Sequence, residues 1–538
     1  MKRPMVWSIG ASDTTAGAGC LADVRVAHAA GCDCAVLLTA ITAQSSAGVH
    51  ALQLVSRAML EQQWQALKSD GWPAVIRLGW LAQDAGLLDW LLDKLAEFQG
   101  PVLWDPVLSA TQGGLSASAW PEGRLTALLQ RVTLLTPNAR EARALARALS
   151  ADDWSLAGLT ADSLTGAEAA SGLLTARQAA EVLQAHGAGH VLVTGGDEAQ
   201  ALAQVRDTFF AARPQDSRYQ TLVAELPGPS LLPAFTLQHP RLARRVHGTG
   251  CHLTAGIACA LAQGHTLYDA VVRGVVTARL AIQQASSRAN GYDNAWACDP
   301  EAAGESDWPV VLSPDGDEPF QSYAFTAAGP LGLYGLTDNL EHLQRLLSLG
   351  IDTLQWRVKD RSADYETDMV QAIALCRAAG VPLYINDDWR LALKLGAYGV
   401  HLGQEDLLTA DCQALAAAGL RLGISTHSDW EIARARALTP SYIAFGPVYI
   451  PLSKRLRYAP LGLTRVSTWA ARFSARRLTC IGGITPDNLL AVASTGIESV
   501  AIVTALREDE GLEQRVHDIR RFFPPLRATL GSLTTSGA

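Results

Sequence analysis

The stretch VPLYINDDWRLALKLGAYGVHLGQED, residues 381–406, contains two apolar runs separated by one helical pattern. The runs are Val381–Ile385 and Gly399–Leu402, and polar residues follow each of them directly. Short apolar runs that alternate with single helices are typical of parallel strands covered by helices. The stretch therefore predicts a strand–helix–strand unit whose polar residues gather at the carboxyl ends of the strands.

The same rhythm extends in both directions from this unit. Eight apolar runs follow one another, and most of the gaps between them hold one helical pattern. Eight strand–helix units in roughly 200 residues match a TIM barrel, whereas an open doubly wound sheet rarely needs eight. We therefore predict a (β/α)8 TIM barrel over residues 326–538. The eight runs are Leu331–Tyr334, Thr353–Val358, Val381–Ile385, Gly399–Leu402, Leu420–Ile424, Tyr442–Phe445, Leu478–Ile481 and Ser499–Val503.

The first half of the chain alternates less regularly between apolar runs and helical patterns. Its pattern predicts an α/β domain over residues 1–285, with a mainly parallel sheet covered by helices. The following residues are polar and rich in Gly, Pro and Asp, so we predict an interdomain linker over residues 286–325. The predicted strands are Val6–Gly10, Cys34–Ile41, Val75–Gly79, Val102–Trp104, Val132–Thr136 and His190–Thr194.

Composition limits the class of protein. With 538 residues the chain is too long for one ordinary core, and two or three domains are expected. Hydrophobic residues make up 49% and charged residues 18%, which is typical of a globular chain. The net charge of -8 argues against a nucleic-acid partner. Nine cysteines are too few for a disulfide scaffold.

Targeting signals are not evident in the sequence. No run of about 20 apolar residues predicts a membrane span. The start, Met1-Lys2-Arg3-Pro4, leads into a run rich in Ser, Gly and Asp rather than the apolar core of a signal peptide. These features favour a cytoplasmic metabolic protein that acts on small molecules, and they leave open whether it forms a homo-oligomer.

Three polar residues end the second predicted barrel strand. Strand alternation places Gln355, Arg357 and Lys359 on one face. Such side chains inside a barrel would be costly to bury without an anionic partner, and a diphosphate would supply one. The alternative is an ordinary amphipathic strand whose charges are solvated.

Acidic residues and glycines follow other predicted barrel strands. Asp387 and Asp406 end adjacent strands, where two carboxylates can share one Mg²⁺ with substrate phosphate oxygens. The alternative is that these aspartates cap the helices that follow. Gly483 after strand seven and Val503–Thr504 at the end of strand eight match the usual phosphate site of TIM barrels. The alternative for the glycine is a tight turn.

Together these elements resemble thiamine phosphate synthase over essentially the whole second half. The resemblance implies coupling of a pyrimidine diphosphate to a thiazole phosphate, through ionisation of the pyrimidine methylene–oxygen bond. Catalytic roles would fall to Arg357 and Lys454. In the loop after strand six, Pro451-Leu452-Ser453-Lys454 stands where the family has Thr-x-Thr-Lys. The matching strings are LGLYGLTD at 331–338, QWRVKD at 355–360, INDD at 385–388, GVHLGQED at 399–406, GIST at 423–426, FGPV at 445–448, SK at 453–454 and IGGI at 481–484.

The resemblance also implies a role for each matching residue. Asp387 and Asp406 would hold Mg²⁺, and Gly483 with Val503 and Thr504 would hold the thiazole phosphate. Ser425 would lie near the diphosphate or the pyrimidine ring. The residues implied to contact the pyrimidine diphosphate are Gln355, Arg357, Lys359, Asn386, Ser453 and Lys454.

The first half carries three polar motifs. A small-residue loop, Ser8–Gly19, follows the first predicted strand and leaves room for a ligand. Asn138 and Glu141 lie three residues apart at a predicted helix start, where a capping box is the alternative to a ligand site. His247-Gly248-Thr249-Gly250-Cys251 precedes an apolar helix, whose N–H groups favour an anion and whose dipole favours a thiolate. The alternative for Cys251 is a buried structural cysteine.

These motifs resemble the hydroxymethylpyrimidine and phosphohydroxymethylpyrimidine kinases of the ribokinase superfamily, over about residues 4–285. The resemblance implies a three-layer α/β/α fold, ATP as phosphoryl donor, and recognition of the pyrimidine by Asp23 and Gln44. Asn138 and Glu141 would organise Mg²⁺. Gly248, Thr249, Gly250 and Cys251 would form the anion hole, with Cys251 as the base. The matching strings are SIGASD at 8–13, GAG–LAD at 17–23, TAITAQ at 39–44, DPV at 105–107, TPNAREA at 136–142 and HGTGC at 247–251.

The two resemblances support each other, because the product of the first family is the substrate of the second. The sequence therefore predicts a bifunctional enzyme of thiamine biosynthesis. Thr194 and Ala11, which stand where the kinase family has Lys and Gly, motivate an alternative in which only the barrel is active. The first half would then be a pyrimidine-binding or assembly module. A second alternative is a kinase for a related ring such as pyridoxal.

Overall fold

The computed structural model divides the chain into two compact units. The described residues up to 313 form the first unit, and those from 323 form the second. No helix among these residues is long and apolar enough to cross a membrane. The described residues are 3–45, 47–108, 120–150, 174–196, 203–213, 216, 232–288, 292–313, 323, 325–450, 459–507 and 510–526.

One ten-stranded sheet organises the first unit. Its strands are β1 Met5–Ala11, β2 Asp33–Ser45, β3 Gly48–Leu54, β4 Val75–Leu78, β5 Val102–Trp104, β6 Leu134–Leu135, β7 His190–Val193, β8 Gln204–Phe210, β9 Ala234–Pro240 and β12 Val310–Leu312. Their order is β12-β9-β8-β7-β6-β5-β4-β1-β2-β3. The central strands pair in parallel and the edge strands pair antiparallel. The six predicted strands are confirmed as β1, β2 and β4 to β7.

Helices cover both faces of this sheet. The helices are α1 Gly19–Ala29, α2 Arg57–Asp70, α3 Ala85–Ala96, α4 Arg124–Leu129, α5 Ala139–Ser150, α6 Ala176–Ala185, α7 Thr249–Ala262 and α8 Leu267–Gln283. Trp7 and Ile9 of β1 belong to a hydrophobic cluster shared with α2 to α6. Ser8, which points to the opposite face, bonds to Asp23 of α1. Helices α7 and α8 pack together, and α7 packs on α1. These contacts confirm the three-layer α/β/α arrangement.

The predicted linker differs from the structure in its first part. The strands β10 (Val246–His247) and β11 (Asp293–Asn294) form a small parallel pair, and β12 pairs with β9 at the sheet edge. Asp307 accepts hydrogen bonds from Arg279 and Gln283 of α8 through its backbone and side chain. Residues 292–313 therefore belong to the first unit, because β12 pairs with β9 and Asp307 accepts hydrogen bonds from two side chains of α8. Composition alone did not show those partners.

The second unit is a closed barrel of eight parallel strands in sequence order. Its strands are β13 Leu333–Thr337, β14 Thr353–Trp356, β15 Leu383–Asn386, β16 Gly399–Leu402, β17 Arg421–Thr426, β18 Tyr442–Phe445, β19 Leu478–Ile481 and β20 Val500–Ile502. Its helices are α9 Leu340–Ser348, α10 Tyr365–Ala379, α11 Trp389–Lys394, α12 Cys412–Ala417, α13 Asp429–Ala437, α14 Gly462–Arg472, α15 Leu489–Ala493, α16 Thr504–Arg507 and α17 Leu512–Arg520. The TIM barrel is confirmed, with each predicted apolar run on a strand.

Candidate active sites

A cleft of about 1030 Å³ opens in the first unit where its parallel strands end. Ala11 at the end of β1, Asp105 after β5 and Thr136 after β6 line it. The first turn of α7 lines it as well. Carboxyl ends of parallel strands that meet a helix N-terminus are the usual ligand position of an open α/β sheet. The geometry thus marks this cleft as the candidate site of the first unit.

The turn before α7 depends on a glycine. Gly248 has a φ of +89° and stands at the N-cap position of α7. A Cβ there would lie 1.8 Å from the carbonyl oxygen of Gly17, so no side chain fits. Thr249, Gly250 and Cys251 follow in the first turn and also line the cleft. The residues predicted as an anion hole are therefore brought together at the open end of a 14-residue helix.

Cys251 differs from the sequence-based expectation of a thiolate. Its side chain is 6% exposed. Burial raises the pKa of the thiol well above its usual value, and the carboxylates of Asp105 and Asp23 raise it further, although Arg77 opposes them. The helix N-terminus is thus outweighed, and the thiol is protonated at neutral pH. The sequence reasoning missed Asp105 and Arg77, whose signals were an acidic residue after β5 and an arginine inside an apolar strand.

Asp23 also differs from its predicted position. It is buried, does not line the cleft, and accepts a hydrogen bond of 2.5 Å from Ser8 Oγ. Arg77 Nη1 lies 3.2 Å from its Oδ2. Burial raises the pKa of Asp23 to about 6, although Arg77 and the Ser8 hydroxyl act in the other direction. Asp23 therefore contacts Arg77 rather than the cleft, and direct recognition of a ring by its carboxylate stays a prediction.

Gln44 lies at the cleft, as predicted, together with a histidine. Gln44 Nε2 lies 3.1 Å from Nε2 of His247, and the same ring nitrogen lies 3.1 Å from Oδ2 of Asp13. Burial raises the pKa of Asp13, but hydrogen bonds from His247 and Thr15 lower it more, so the net pKa falls below its usual value. The amide of Gln44 is therefore held at the cleft wall beside an ionised carboxylate.

Asn138 and Glu141 form a capping box at the start of α5. The Glu141 amide donates to Asn138 Oδ1 at 2.9 Å, and the Asn138 amide donates to Glu141 Oε2 at 3.0 Å. Among the described residues, no cluster of three or more His, Cys, Asp or Glu side chains could hold a metal ion. The donor set as arranged fits a helix cap rather than a metal site, so no chemical step is assigned to a metal here.

Cationic side chains also line the cleft. Arg140, Arg241 and Arg245 contribute to its wall. Arg241 Nη1 donates to the carbonyl oxygen of Gly196 at 2.9 Å, in the loop that begins at Thr194. Guanidinium groups suit polyanionic ligands because they are always charged and bind phosphate with several donors. The cleft is therefore equipped for an anion although Thr194 itself carries no charge.

In the barrel, Asp387 and Asp406 approach each other at the ends of β15 and β16. The pKa of Asp387 is raised to about 6 by burial and by the neighbouring Asp406 carboxylate, although Arg357 opposes this rise. Asp387 has a φ of +64°, in the left-handed region that residues other than glycine uncommonly adopt. Asp406 Oδ2 accepts a hydrogen bond of 3.0 Å from the Gly403 amide. The helix-capping alternative applies instead to Asp388, which caps α11.

This carboxylate pair fits a divalent cation. Two carboxylates held in contact repel each other, and a hard cation would relieve that repulsion. Mg²⁺ is commonly bound through one or two carboxylates together with phosphate oxygens of a substrate. Two protein carboxylates and the half-buried Arg357 beside them would thus hold the cation and a diphosphate side by side.

The residues at the end of β14 are only partly as predicted. Gln355 is buried inside the barrel and Arg357 is half-buried, but Lys359 is exposed. The strand ends at Trp356, so alternation no longer fixes the direction of the residues beyond it. Arg357 therefore stays beside the carboxylate pair, and the diphosphate contact of the exposed Lys359 stays a prediction.

A chain of buried hydrogen bonds crosses the barrel interior and ends at Ser425. Gln355 Nε2 donates to the Tyr334 hydroxyl at 3.2 Å, and Tyr334 and Tyr442 share a hydrogen bond of 2.8 Å. His401 joins the Tyr442 hydroxyl to Ser425 Oγ, with 2.7 Å on each side. Burial lowers the pKa of His401 to about 3, so its ring is neutral. Except at Gln355 and Ser425, the sequence reasoning missed this chain, because its tyrosines look like ordinary strand residues.

Tyr442→Phe is expected to lower the free energy of unfolding of the barrel by about 1–3 kcal/mol, because it removes the hydroxyl that bonds to both His401 Nδ1 and the Tyr334 hydroxyl. Hydrogen exchange of barrel peptides measures the change. Tyr398→Phe is the matched control, since the Tyr398 hydroxyl has no hydrogen bond among the described residues. It should change the free energy by less than about 0.5 kcal/mol. Equal effects of the two substitutions would contradict the network.

Some of the remaining predicted barrel residues lie among the described residues, and others lie outside them. Gly483 has a φ of +68°, and a Cβ there would lie 2.6 Å from Cβ of Tyr449. Both the tight-turn alternative and a phosphate site are compatible with this backbone. Val503 is half-buried and Thr504 exposed at the end of β20. Ser453 and Lys454 lie outside the described residues, so their predicted contacts are not tested.

Comparison with known proteins identifies both units. A family model described as phosphomethylpyrimidine kinase matches residues 13–226 and 232–295, and one described as thiamine monophosphate synthase matches residues 323–506. A thiamine-phosphate synthase from Pectobacterium atrosepticum is 50% identical over 180 residues, which are 33% of this chain and 84% of that protein. The chain belongs to both families. The synthase from Salmonella typhimurium is 48% identical over 179 residues, which are 33% of this chain and 85% of that protein.

Solved structures similar to the chain include members of both families. A pyridoxal kinase from Staphylococcus aureus, in complex with AMP-PCP and pyridoxal, covers 58% of this chain and 98% of its own at 21% identity, with a TM-score of 0.43. A phosphomethylpyrimidine kinase from Clostridium difficile covers 50% and 95% at 19% identity, with a TM-score of 0.36. A thiamine phosphate pyrophosphorylase from Pyrococcus furiosus covers 36% and 96% at 25% identity, with a TM-score of 0.32.

Membership in the two families confirms the resemblance inferred from the motifs. It makes the chain a fusion of a kinase-type unit and a synthase-type barrel, both of them transferases of thiamine biosynthesis. The cleft of the first unit and the carboxylate pair of the barrel are therefore the two candidate active sites.

Proposed function

We propose that this chain makes thiamine phosphate in three steps at two sites. The first unit phosphorylates 4-amino-5-hydroxymethyl-2-methylpyrimidine and then its monophosphate, with ATP as donor. The barrel couples the resulting diphosphate to thiazole phosphate and releases pyrophosphate. The contact between Asp387 and Asp406 beside Arg357 carries the proposal for the barrel, because it matches a cation-bridged diphosphate. An ATP-dependent route of this kind fits a cytoplasmic enzyme.

Several features of the first unit support a kinase. The cleft is large enough for a nucleotide and a small ring together, since ligand sites commonly occupy about 300–1,000 Å³. Arg140, Arg241 and Arg245 offer positive charge to a triphosphate. The α7 N-terminus with Gly248 offers backbone N–H groups to the phosphoryl group in transfer. Gln44 is placed at the wall, where its amide can bond to the pyrimidine ring.

In the barrel, the chain contributes diphosphate stabilisers rather than a nucleophile. Bound at Asp387 and Asp406, Mg²⁺ would offset the negative charge of the leaving diphosphate. Arg357 would bond to the same group and stabilise the charge that develops as the methylene–oxygen bond breaks. Ser425, oriented by neutral His401, would face the substrate from β17. Lys454 and Ser453, which follow β18 in the sequence, are proposed to complete the diphosphate contacts.

Product analysis separates this proposal from its alternatives. Purified protein is supplied with ATP, Mg²⁺, hydroxymethylpyrimidine and thiazole phosphate, and thiamine phosphate is the expected product. If the product forms only from premade pyrimidine diphosphate, the first unit is a binding or assembly module instead. Competition with pyridoxal in the ATP assay tests the related-ring alternative. No product under either condition would overturn the proposal for the barrel.

A further inference from the structure

A buried arginine on α13 holds the loop that carries Asp406. Arg434 is 9% exposed, and its Nη1 donates to the backbone carbonyl oxygen of Gln404 at 2.9 Å. The same nitrogen donates to Oε1 of the Gln404 side chain at 3.2 Å. One guanidinium group therefore fixes both the backbone and the side chain of the residue that stands two positions before Asp406.

Gln404 passes this restraint on to the neighbouring strand. Its side chain is 4% exposed, and its Nε2 donates to the carbonyl oxygen of Ser425 in β17 at 2.8 Å. Both ends of the Gln404 amide are thus bonded. Within the loop, the Gly403 amide donates to Asp406 Oδ2 at 3.0 Å. The Asp406 carboxylate is therefore tied, through its own loop, to α13 on one side and to β17 on the other.

The other carboxylate of the candidate cation site is tied to the strand that precedes the same loop. The Asp387 amide donates to the carbonyl oxygen of His401 in β16 at 3.0 Å. Asn386, which precedes Asp387, is the register partner of His401. The end of β15 is thus fixed to β16, and only the short segment after β16 must still be held for Asp406 to keep its place. Arg434 holds that segment.

Arg434 does not neutralise a neighbouring carboxylate. It forms no ion pair within the described part of the chain, and Glu431, one turn earlier on α13, accepts the His427 amide at 2.7 Å instead. The Cζ of Arg434 lies 5.8 Å from the ring centroid of Trp430, which offsets part of the cost of burying its charge. A buried guanidinium bonded only to uncharged oxygens is otherwise costly. The position of this cost, at the Asp406 loop, points to a role in the site.

We propose that Arg434 is a positioning residue of the synthase site, which acts through Gln404 to hold the Asp406 carboxylate in place for a divalent cation and the substrate diphosphate. The inference rests on the proposed function of the barrel and deepens it. Arg434 itself contacts neither the cation nor the diphosphate, so its loss weakens cation binding without removing a ligand. Groups that orient metal ligands typically change metal affinity or activity by about 10–100-fold.

Arg434→Met removes the guanidinium and keeps a side chain of similar size. In the full-length protein it should raise the Mg²⁺ concentration for half-maximal synthesis of thiamine phosphate by about 10–100-fold. At saturating Mg²⁺, kcat from premade pyrimidine diphosphate should stay within about threefold of the wild type, because excess cation offsets weaker binding. A residue needed only for folding would lower the amount of active protein without moving the Mg²⁺ dependence.

Binding supplies a readout that does not depend on turnover. Mg²⁺ with inorganic pyrophosphate, a product of the proposed reaction, is titrated into the protein and followed by calorimetry, and the heat lost in Asp406→Ala identifies the barrel site. Arg434→Met should raise the Kd at this site by about tenfold or more. Hydrogen exchange should also be faster in the peptide that holds Gly403, Leu407 and Ala410, whose amides bond within the loop.

Arg436 provides the matched control on the same helix. It is 7% exposed, and its Cζ lies 5.5 Å from the ring centroid of Phe473. Residues two positions apart on a helix point to different sides. Arg436→Met should therefore leave the Mg²⁺ dependence and the Kd for pyrophosphate within about twofold of the wild type. If it weakens binding as much as Arg434→Met, the effect comes from a disturbed α13, and the inference is overturned.

Two further variants test the same link if Arg434→Met does not fold, which hydrogen exchange of the barrel peptides reports. Arg434→Lys keeps one donor for the Gln404 carbonyl and should show a smaller rise in Kd. Gln404→Leu removes both side-chain bonds and should raise the Kd as well. Where the variants fold, the double variant Arg434→Met, Gln404→Leu should bind less weakly than the two single effects predict together, because both act on one link. Loss of the folded barrel in every variant would make the link a structural one and overturn the inference.

The outcomes for this inference and for the proposed function are distinguishable. A wild-type protein that makes thiamine phosphate, with an Arg434→Met variant of unchanged Mg²⁺ dependence, overturns the inference and leaves the synthase function intact. A wild-type protein that makes no thiamine phosphate from premade pyrimidine diphosphate overturns the proposed function, and the inference with it. A raised Mg²⁺ requirement confined to the Arg434 and Gln404 variants supports both.

Discussion

Asp406→Ala is expected to lower thiamine phosphate formation from premade pyrimidine diphosphate by at least about a hundredfold, while phosphorylation by the first unit stays within about twofold. Even residues that only support metal ligands change metal affinity or activity by about 10–100-fold, and Asp406 is proposed as a ligand itself. Its carboxylate faces Asp387, so its loss removes half of the protein charge that would bind the cation. Added Mg²⁺ should recover part of the rate, because weakened binding is partly offset by mass action.

The adjacent aspartate provides the matched control for this prediction. Asp388 accepts the Leu391 amide at 3.1 Å as the cap of α11 and lies 3.0 Å from Nη1 of Arg361. Asp388→Ala should keep most of the synthase rate but lower stability by about 1 kcal/mol, the usual cost of a lost cap. A steady-state assay with a Mg²⁺ titration compares the two variants. If Asp406→Ala keeps more than a tenth of the wild-type rate, the cation site lies elsewhere.

Arg77→Met is expected to lower the free energy of unfolding of the first unit by about 3–5 kcal/mol. Methionine is similar in size, so the loss comes from leaving the Asp23 and Asp105 carboxylates buried together without a cation. Hydrogen exchange of peptides from α1 and α7 measures the change, since it reports on the first unit alone. The triple variant that also carries Asp23→Asn and Asp105→Asn should recover part of the loss, because it removes the unpaired charges.

An exposed ion pair provides the contrast for Arg77. Lys68 Nζ lies 2.6 Å from Oε2 of Glu97 on the surface of the first unit. Lys68→Met should change the free energy of unfolding by less than about 1 kcal/mol, because solvent screens exposed pairs. If Arg77→Met is as mild as Lys68→Met, the buried cluster does not contribute as its burial implies.

The barrel was predictable from the sequence because local spacing encodes it. Each strand from β13 to β20 is a short apolar run, and most are followed by a single helix, so a period read along the chain gives the topology. Asp387 and Asp406 follow from the same logic, since the residues that follow the parallel strands lie at one end of the barrel. The direction of Lys359 does not follow in this way, because β14 ends three residues earlier. Beyond a strand end, alternation carries no information about direction.

The kinase site was predictable only in part, because its decisive contacts join distant segments. Arg77 looks like a single charged residue in an apolar strand, and its partners lie 54 and 28 residues away, at Asp23 and Asp105. Burial is the main cause that raises the pKa of Cys251, and the Asp105 and Asp23 carboxylates raise it further. Local sequence signals a helix N-terminus but not the charge behind it, so the helix dipole alone does not determine the state of the thiol.

The edge strand β12 has a practical consequence for dividing the chain. A protein truncated at residue 286, the boundary that composition suggests, would lose residues 310–312 and leave the outer N–H and C=O groups of β9 without their ladder. An exposed strand edge of this kind invites pairing with another copy and aggregation. Arg279 and Gln283 of α8 would lose their hydrogen bonds to Asp307 as well. A soluble fragment of the first unit should therefore extend at least through Leu312, and insolubility of a shorter fragment would reflect lost sheet closure rather than a defective kinase fold.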